Sequence, residues 1–122
     1  MNDYIDGFAL PIPKAHLKAY QSVASAIAAI WVKHGALDYR EFVGDDLQLA
    51  GTRSFLDAVA VEEDEVVVFG WVRFACKADR DAANERVAAD PEVAKLMAAS
   101  NSGFDPSRMA YGGFVPLVSH HE

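Results

Sequence analysis

Apolar and polar residues recur along this chain with two different periods, and the switches between them mark its elements. Over residues 14–34, Leu17, Tyr20, Ala24, Ile27 and Trp31 recur at spacings of three and four, with Val23 and Ile30 widening the stripe. That spacing predicts an amphipathic helix with one buried face. Gly35 supplies its left-handed stop, and Lys33 and His34 sit where the negative helix end favours a cation. Apolar runs or alternations predict strands over residues 4–10, 36–43, 66–74 and 108–118. Pro11 and Pro13, which cannot donate to a ladder, are expected to close the first strand. Gly112-Gly113 in the last strand marks a bulge or a close approach. A second helix, from about residue 79, breaks at Asp90-Pro91. There Asp90 can cap a new segment that opens on Pro91 and turns Val93, Leu96 and Met97 inward.

The order is strand, helix, strand, strand, helix, strand, which is the split βαβ arrangement of the ferredoxin-like class. A single α+β domain over residues 1–122 is expected. Right-handed crossovers put both helices on one face of a four-stranded antiparallel sheet. The third strand, VVVFGWVRF, conflicts with a half-solvated sheet. Val66, Val68, Gly70, Val72 and Phe74 share one side, and Val67, Phe69, Trp71 and Arg73 the other, so both sides are apolar. Two helices cover one side only. The expected cover for the second is another copy of the chain, sheet against sheet, in a homodimer. Residues 44–65 are too apolar for a free linker, with Leu47, Leu49, Phe55, Leu56, Val59 and Val61, and are expected to form an ordered arm.

Composition narrows the function classes. The 122 residues carry 18 acids against 11 Lys and Arg, for a net charge of −7 and a pI near 4.9. Such a field repels phosphate backbones and anionic membranes, so no nucleic-acid or membrane partner is expected. The single Cys76 allows no internal disulfide and fits a reducing compartment. The start, MNDYIDGFALPIPK, lacks a basic and then apolar leader pattern, and no apolar run approaches a membrane span. A cytoplasmic location is expected.

Several stretches in order then carry a resemblance. DGFALPIPK, WVKHGALDYREFVGDD, TRSF, DEVVVFGWV and FDPSRMAYGGF together resemble the YbaA-like family of uncharacterised bacterial proteins (domain of unknown function 1428). The resemblance runs over residues 4–118 and implies a dimeric α+β barrel, two ferredoxin-like sheets facing each other. That superfamily holds cofactor-free monooxygenases, lactone isomerases and haem enzymes beside many members with no assigned reaction. One departure is Leu56, where the family pattern implies a proline after Ser54-Phe55.

Strand parity nominates the residues that would face the barrel. With the purely apolar side of the third strand turned to the helices, Trp71 and Arg73 look into the barrel. In the second strand Asp38, Arg40 and Phe42 join them, leaving Leu37, Tyr39 and Val43 for the helices. In the first, Ile5, Gly7 and Ala9 are expected on the helix side and Tyr4, Asp6 and Phe8 in the barrel, with Arg108 near the end of the fourth. Buried charges must be paired or wetted. Asp6, Asp38, Arg40 and Arg73 are therefore either an interfacial salt-bridge network or a cavity whose arginines hold a carboxylate or enolate, with Trp71 stacking on the ligand.

His34 beside Asp45 and Asp46 is either a helix-end histidine near an ordinary turn or a base with orienting carboxylates. Tyr111, next to Gly112 and Gly113, is either a pocket hydroxyl or a core tyrosine. Cys76 reads as a small buried hydrophobe, and His120-His121-Glu122 as a tail. No G-x-S-x-G, Walker loop, G-x-G-x-x-G or H-E-x-x-H occurs. Neither a cofactor nor a metal is expected. Two functions fit: a homodimeric small-molecule (organic acid) binding module built on Asp6, His34, Arg40, Trp71, Arg73 and Tyr111, or a cofactor-free monooxygenase or isomerase.

Overall fold

The structure, a computed structural model, describes residues 3–99 and 101–120, so His121 and Glu122 of the terminal pair lie outside the described residues. Strands β1 (Tyr4–Pro13), β2 (Asp38–Val43), β3 (Glu65–Phe74) and β4 (Ala110–Phe114) form one antiparallel sheet in the order β2-β3-β1-β4. Helix α1 (Leu17–Lys33) carries the chain from β1 over β3 to β2. Two consecutive helices, α3 (Lys77–Ala89) and α4 (Pro91–Ala99), return it from β3 to β4. This is the ferredoxin-like α+β arrangement.

Local chemistry sets the boundaries. Gly35, at φ 119°, takes the left-handed position after α1. Asp90 separates α3 from α4: its Oδ1 accepts from the Glu92 N–H at 2.9 Å while Pro91 opens the new helix. The first strand departs from expectation. It does not stop at Leu10 but runs through both prolines, with Pro11 opposite Val67 and Pro13 opposite Glu65. β4 pairs with β1 only from Ile5 to Ala9, so beyond Ala9 that edge of β1 is unpaired and a missing donor there loses no ladder bond. β4 is also shorter than expected, and Gly112 and Gly113 pair in register without a bulge.

The core lies between the sheet and the helices. Phe8, Leu10 and Ile12 of β1 and Val68, Val72 and Phe74 of β3 pack against Tyr20 of α1 and Ala83 of α3. Alternation then turns Ile5, Gly7 and Ala9 to the opposite, open face, which reverses the parity expected for the first strand. Residues 44–65 cross one end of that open face. Short α2 (Phe55–Ala58) is capped by Ser54, whose Oγ accepts from the Leu56 N–H at 3.0 Å, a bond that a proline at residue 56 would forbid. Leu47, Leu56, Val59 and Val61 pack on Ala9 and Val67. The arm's end is pinned by Arg108, whose Nη1 and Nη2 donate to Glu65 at 2.6 and 2.8 Å. Arg108 Nη2 also donates to the carbonyl of Ala60, a residue at φ 52°.

Candidate functional site

The open face collects one set of the nominated residues. Asp38 stands opposite Arg73 and Arg40 opposite Trp71. Asp38 accepts from Arg40 Nε at 3.3 Å and from Trp71 Nε1 at 3.4 Å, while Arg73 Nη1 donates to Asp3 at 3.2 Å. Arg40 is largely exposed, and pairs of this kind add little to the stability of the isolated fold. Around them lies an aromatic patch. Phe42 and Phe69 sit 5.3 and 6.3 Å from Trp71 between ring centroids, and Phe42, Phe69 and Phe114 are 48%, 41% and 56% exposed.

Asp6 is not part of this set. It is fully buried on the helix face, where Arg80 of α3 brings Nε to 3.7 Å from its carboxylate. Arg80 Nη2 also donates to the Tyr4 hydroxyl at 2.7 Å, and the guanidinium lies 4.8 Å from the Tyr4 ring centre. Neither Asp6 oxygen, nor Arg80 Nε, completes a hydrogen bond. Burial opposes the Arg80 charge, but Asp6, Tyr4 and Asp81 outweigh it and tighten its proton. Gly113 makes the arrangement fit, because a Cβ there would strike the Tyr4 hydroxyl.

His34 is elsewhere again. Its Nε2 lies 2.8 Å from Asp90 Oδ2, which also takes Lys33 Nζ at 3.5 Å, so it ties the end of α1 to the cap of α4 rather than meeting Asp45 or Asp46. Hydrogen bonding to His34, then to the Glu92 N–H, holds the Asp90 carboxyl below its ordinary range. Among the described residues no group of three or more His, Cys, Asp or Glu could hold a metal ion, and no helix is long and apolar enough to cross a membrane.

The helix face holds a half-open cavity of about 290 Å³. That is near the small end of the roughly 300–1,000 Å³ range of ligand pockets. Its floor is Tyr39 and Glu41 of β2, Val72 of β3, Phe8 of β1 and Tyr111 of β4; α1 roofs it with Tyr20, Ala24, Ile27 and Trp31. Gly70 admits the Phe8 ring, since a Cβ there would come within 2.7 Å of its tip. Within these apolar walls stands one carboxylate. The Tyr20 hydroxyl donates to Glu41 Oε1 in a short contact, and the Tyr39 hydroxyl donates to Oε2 at 2.7 Å. Burial and then the Glu41 charge and hydrogen bonds raise the affinity of both phenols for their protons. Tyr111 stacks beside Phe8, with centroids 6.5 Å apart, and burial followed by Asp6 tightens its proton as well. A second groove, of about 350 Å³ between α1 and β2, shares Tyr20, Ala24, Tyr39 and Glu41 with the cavity.

Of the nominated residues, the structure brings Arg40, Trp71 and Arg73 together on one face and lines the inner cavity with Tyr111 alone. Sequence reasoning missed Glu41. The signal was present: with Tyr39 and Val43 turned to the helices, alternation places the acid between them on the same side.

Comparison with known proteins agrees with this architecture. The chain is 35% identical over 115 residues to uncharacterized protein YbaA of Escherichia coli (strain K12), covering 94% of this chain and 97% of that one. The match to the protein of the same description in Shigella flexneri has the same identity and coverage. Among solved structures, it resembles SnoaB, a cofactor-independent oxygenase from Streptomyces nogalater, with TM-score 0.54 and 12% identity over the whole of both chains. It also resembles an uncharacterized NIPSNAP-like domain protein from Burkholderia xenovorans, with TM-score 0.60 and 12% identity over 99% of this chain and 90% of that one. Residues 3–106 match the family described as protein of unknown function (DUF1428), and the chain belongs to that family.

Proposed function

We propose that this protein is a cytoplasmic homodimer that binds a small, largely apolar molecule in the cavity between sheet and helices. The observation that carries the reading is the pinned Glu41 carboxylate. Two tyrosine hydroxyls hold a charged group at the wall of an apolar cavity, an arrangement that orients a guest more readily than it stabilises a core. The open face supports the dimer. Phe42, Phe69, Trp71 and Phe114 form an apolar surface ringed by Asp38, Arg40 and Arg73, the apolar centre and polar surround of a self-associating face. A free Cys76 suits a reducing compartment.

This reading moves the ligand away from the arginines. They lie on the assembly face, so an organic acid held by Arg40 and Arg73 would have to sit between subunits. A second reading is favoured by one observation, the fold shared with a cofactor-independent oxygenase: Glu41 would accept a proton from an acidic C–H of the guest.

Amide NMR with a mixture of single-ring apolar fragments tests the site. Fragments should perturb Ala24, Ile27 and Val72, and Ala24→Trp, which fills the cavity, should remove the response; perturbations confined to the open face would overturn the site. Light scattering tests the assembly. A mass near twice the 13.3 kDa chain is expected, falling to one chain in Trp71→Asp, which buries an unpaired charge at the interface centre. A wild-type monomer would sink it.

A further inference from the structure

We propose that the cavity selects an organic ammonium ion, an amine carried on an aromatic or other apolar body, with Glu41 as its counter-ion. The inference rests on the cavity being a binding site and names its ligand class.

Proton bookkeeping makes the case. A phenol has one proton to give and a carboxylate none. Tyr20 and Tyr39 both spend theirs on Glu41, one on each oxygen. The oxygens facing the cavity from this end can then only accept. Among the described residues that line it, the remaining side-chain donors are the Trp31 N–H and the Tyr111 hydroxyl. A guest that needs donors, as a carboxylate does, finds few; a guest that brings donors finds several acceptors.

Charge points the same way. None of the residues lining the cavity or the adjoining groove is a Lys, Arg or His, and no ion pair to Glu41 exists among the described residues. The structure pairs its other enclosed acids with cations: Asp6 with Arg80, Glu65 with Arg108, Asp90 with His34 and Lys33. Glu41 is held by neutral groups alone, so a negative charge at an apolar wall is left for a cation to match. The walls suit one. Phe8, Tyr20, Trp31, Tyr39, Phe104 and Tyr111 line the space with aromatic rings, whose faces attract an ammonium and more so when water is excluded. The groove between α1 and β2 shares Glu41 with the cavity, so the carboxylate stands where the two adjoin.

The test compares three molecules of matched shape by calorimetry and amide NMR: phenethylamine, phenethyl alcohol and phenylacetate. The amine should bind about tenfold or more tightly than the alcohol, with the acid weakest. Its perturbations should fall on Ala24, Ile27 and Val72. Glu41→Gln, which keeps size and removes charge, should erase the amine's advantage, bringing its affinity to within about threefold of the alcohol's in the same variant. Tyr39→Phe, which removes one of the two pins, should cut the advantage without reversing it and serves if the first variant does not fold. Phenylacetate binding as tightly as the amine, an advantage that survives Glu41→Gln, amine shifts confined to surface acids, or no binding by any of the three would each overturn the proposal. Apolar fragments that bind in the cavity with no preference for the amine would sink this inference and leave the binding site standing. An Ala24→Trp variant that binds everything as before would sink the site itself.

Discussion

The two faces of the sheet are built from alternate residues of the same four strands, yet they solve opposite problems. On the helix face, Phe74, Leu10 and Ile12 are fully covered and the polar groups among them have partners from distant elements: Asp6 meets Arg80, and Glu41 meets Tyr20. On the open face, Phe42, Phe69 and Phe114 remain substantially exposed, and the ion pairs Arg40–Asp38 and Arg73–Asp3 are themselves partly exposed. The first face is covered over its centre within one chain and holds a half-open cavity, with Val43 and Tyr111 left partly exposed toward its edges. The second is complete only over Ala9 and Val67, where the arm lies. The proposed binding cavity and the proposed assembly face are thereby separated by the thickness of one sheet, and a substitution can disturb one without the other.

The contrast is sharpest in what a truncation costs. Phe74→Ala should lower stability by about 3–5 kcal/mol in denaturant melts at any protein concentration. Phe114→Ala should change it by less than about 0.5 kcal/mol at dilutions where the chain is monomeric, and by more only where the dimer forms. Equal losses at the two positions under dilute conditions would erase the distinction between the faces.

A slightly smaller effect probes the buried charge. Asp6→Leu strands Arg80 inside and should cost about 3 kcal/mol or more, whereas Asp6→Leu combined with Arg80→Met should recover most of it. Additive losses in the double variant would show that the two side chains are not coupled.

The smallest effect is acidic loosening of the peripheral ties. Arg108 is the chief reason the Glu65 carboxyl lies below its ordinary range, and His34 the chief reason for Asp90. Groups with lowered folded values stabilise fully above their unfolded values, and that stabilisation fades as pH falls through the folded ones. From roughly pH 5 downward, amide exchange should rise first in residues 44–65 and at the α3–α4 junction, before the helix-face core responds. Arg108→Met should bring the arm's release to higher pH. An arm that exchanges no faster than Val72 at low pH would contradict this.

Much of the architecture was legible in the sequence because it is local. The 3.6-residue stripe of α1, Gly35 as its stop, and Asp90-Pro91 as the joint between α3 and α4 each follow from a few adjacent residues. The site was harder for a physical reason. Prolines at residues 11 and 13 argued that the first strand ends at Leu10, which hid Ile12 and made Ile5, Gly7 and Ala9 look like the inward set. Asp6 deepened the error, since a charged residue reads as outward unless its partner is known, and Arg80 arrives from α3. The same applies to Glu41, whose tyrosine on α1 is 21 residues away. Parity was legible where a strand was uniform, as in β3, and lost where a long-range pair reversed the polarity of one position.

The prolines of β1 have a consequence for solubility in the crowded, partly unfolded populations of a cell. Past Ala9 the strand runs on beside β3 with no strand paired to its other edge, through Leu10 and Ile12, which are buried in the fold but, once uncovered by partial unfolding, are apolar residues of the kind that recruit strands from neighbouring molecules into aggregates. An incoming strand needs donors at regular intervals to zip along such an edge, and Pro11 and Pro13 withhold two of them. The chain therefore carries its most apolar strand end in a form that β3 can pair with and that is a poor template for growth.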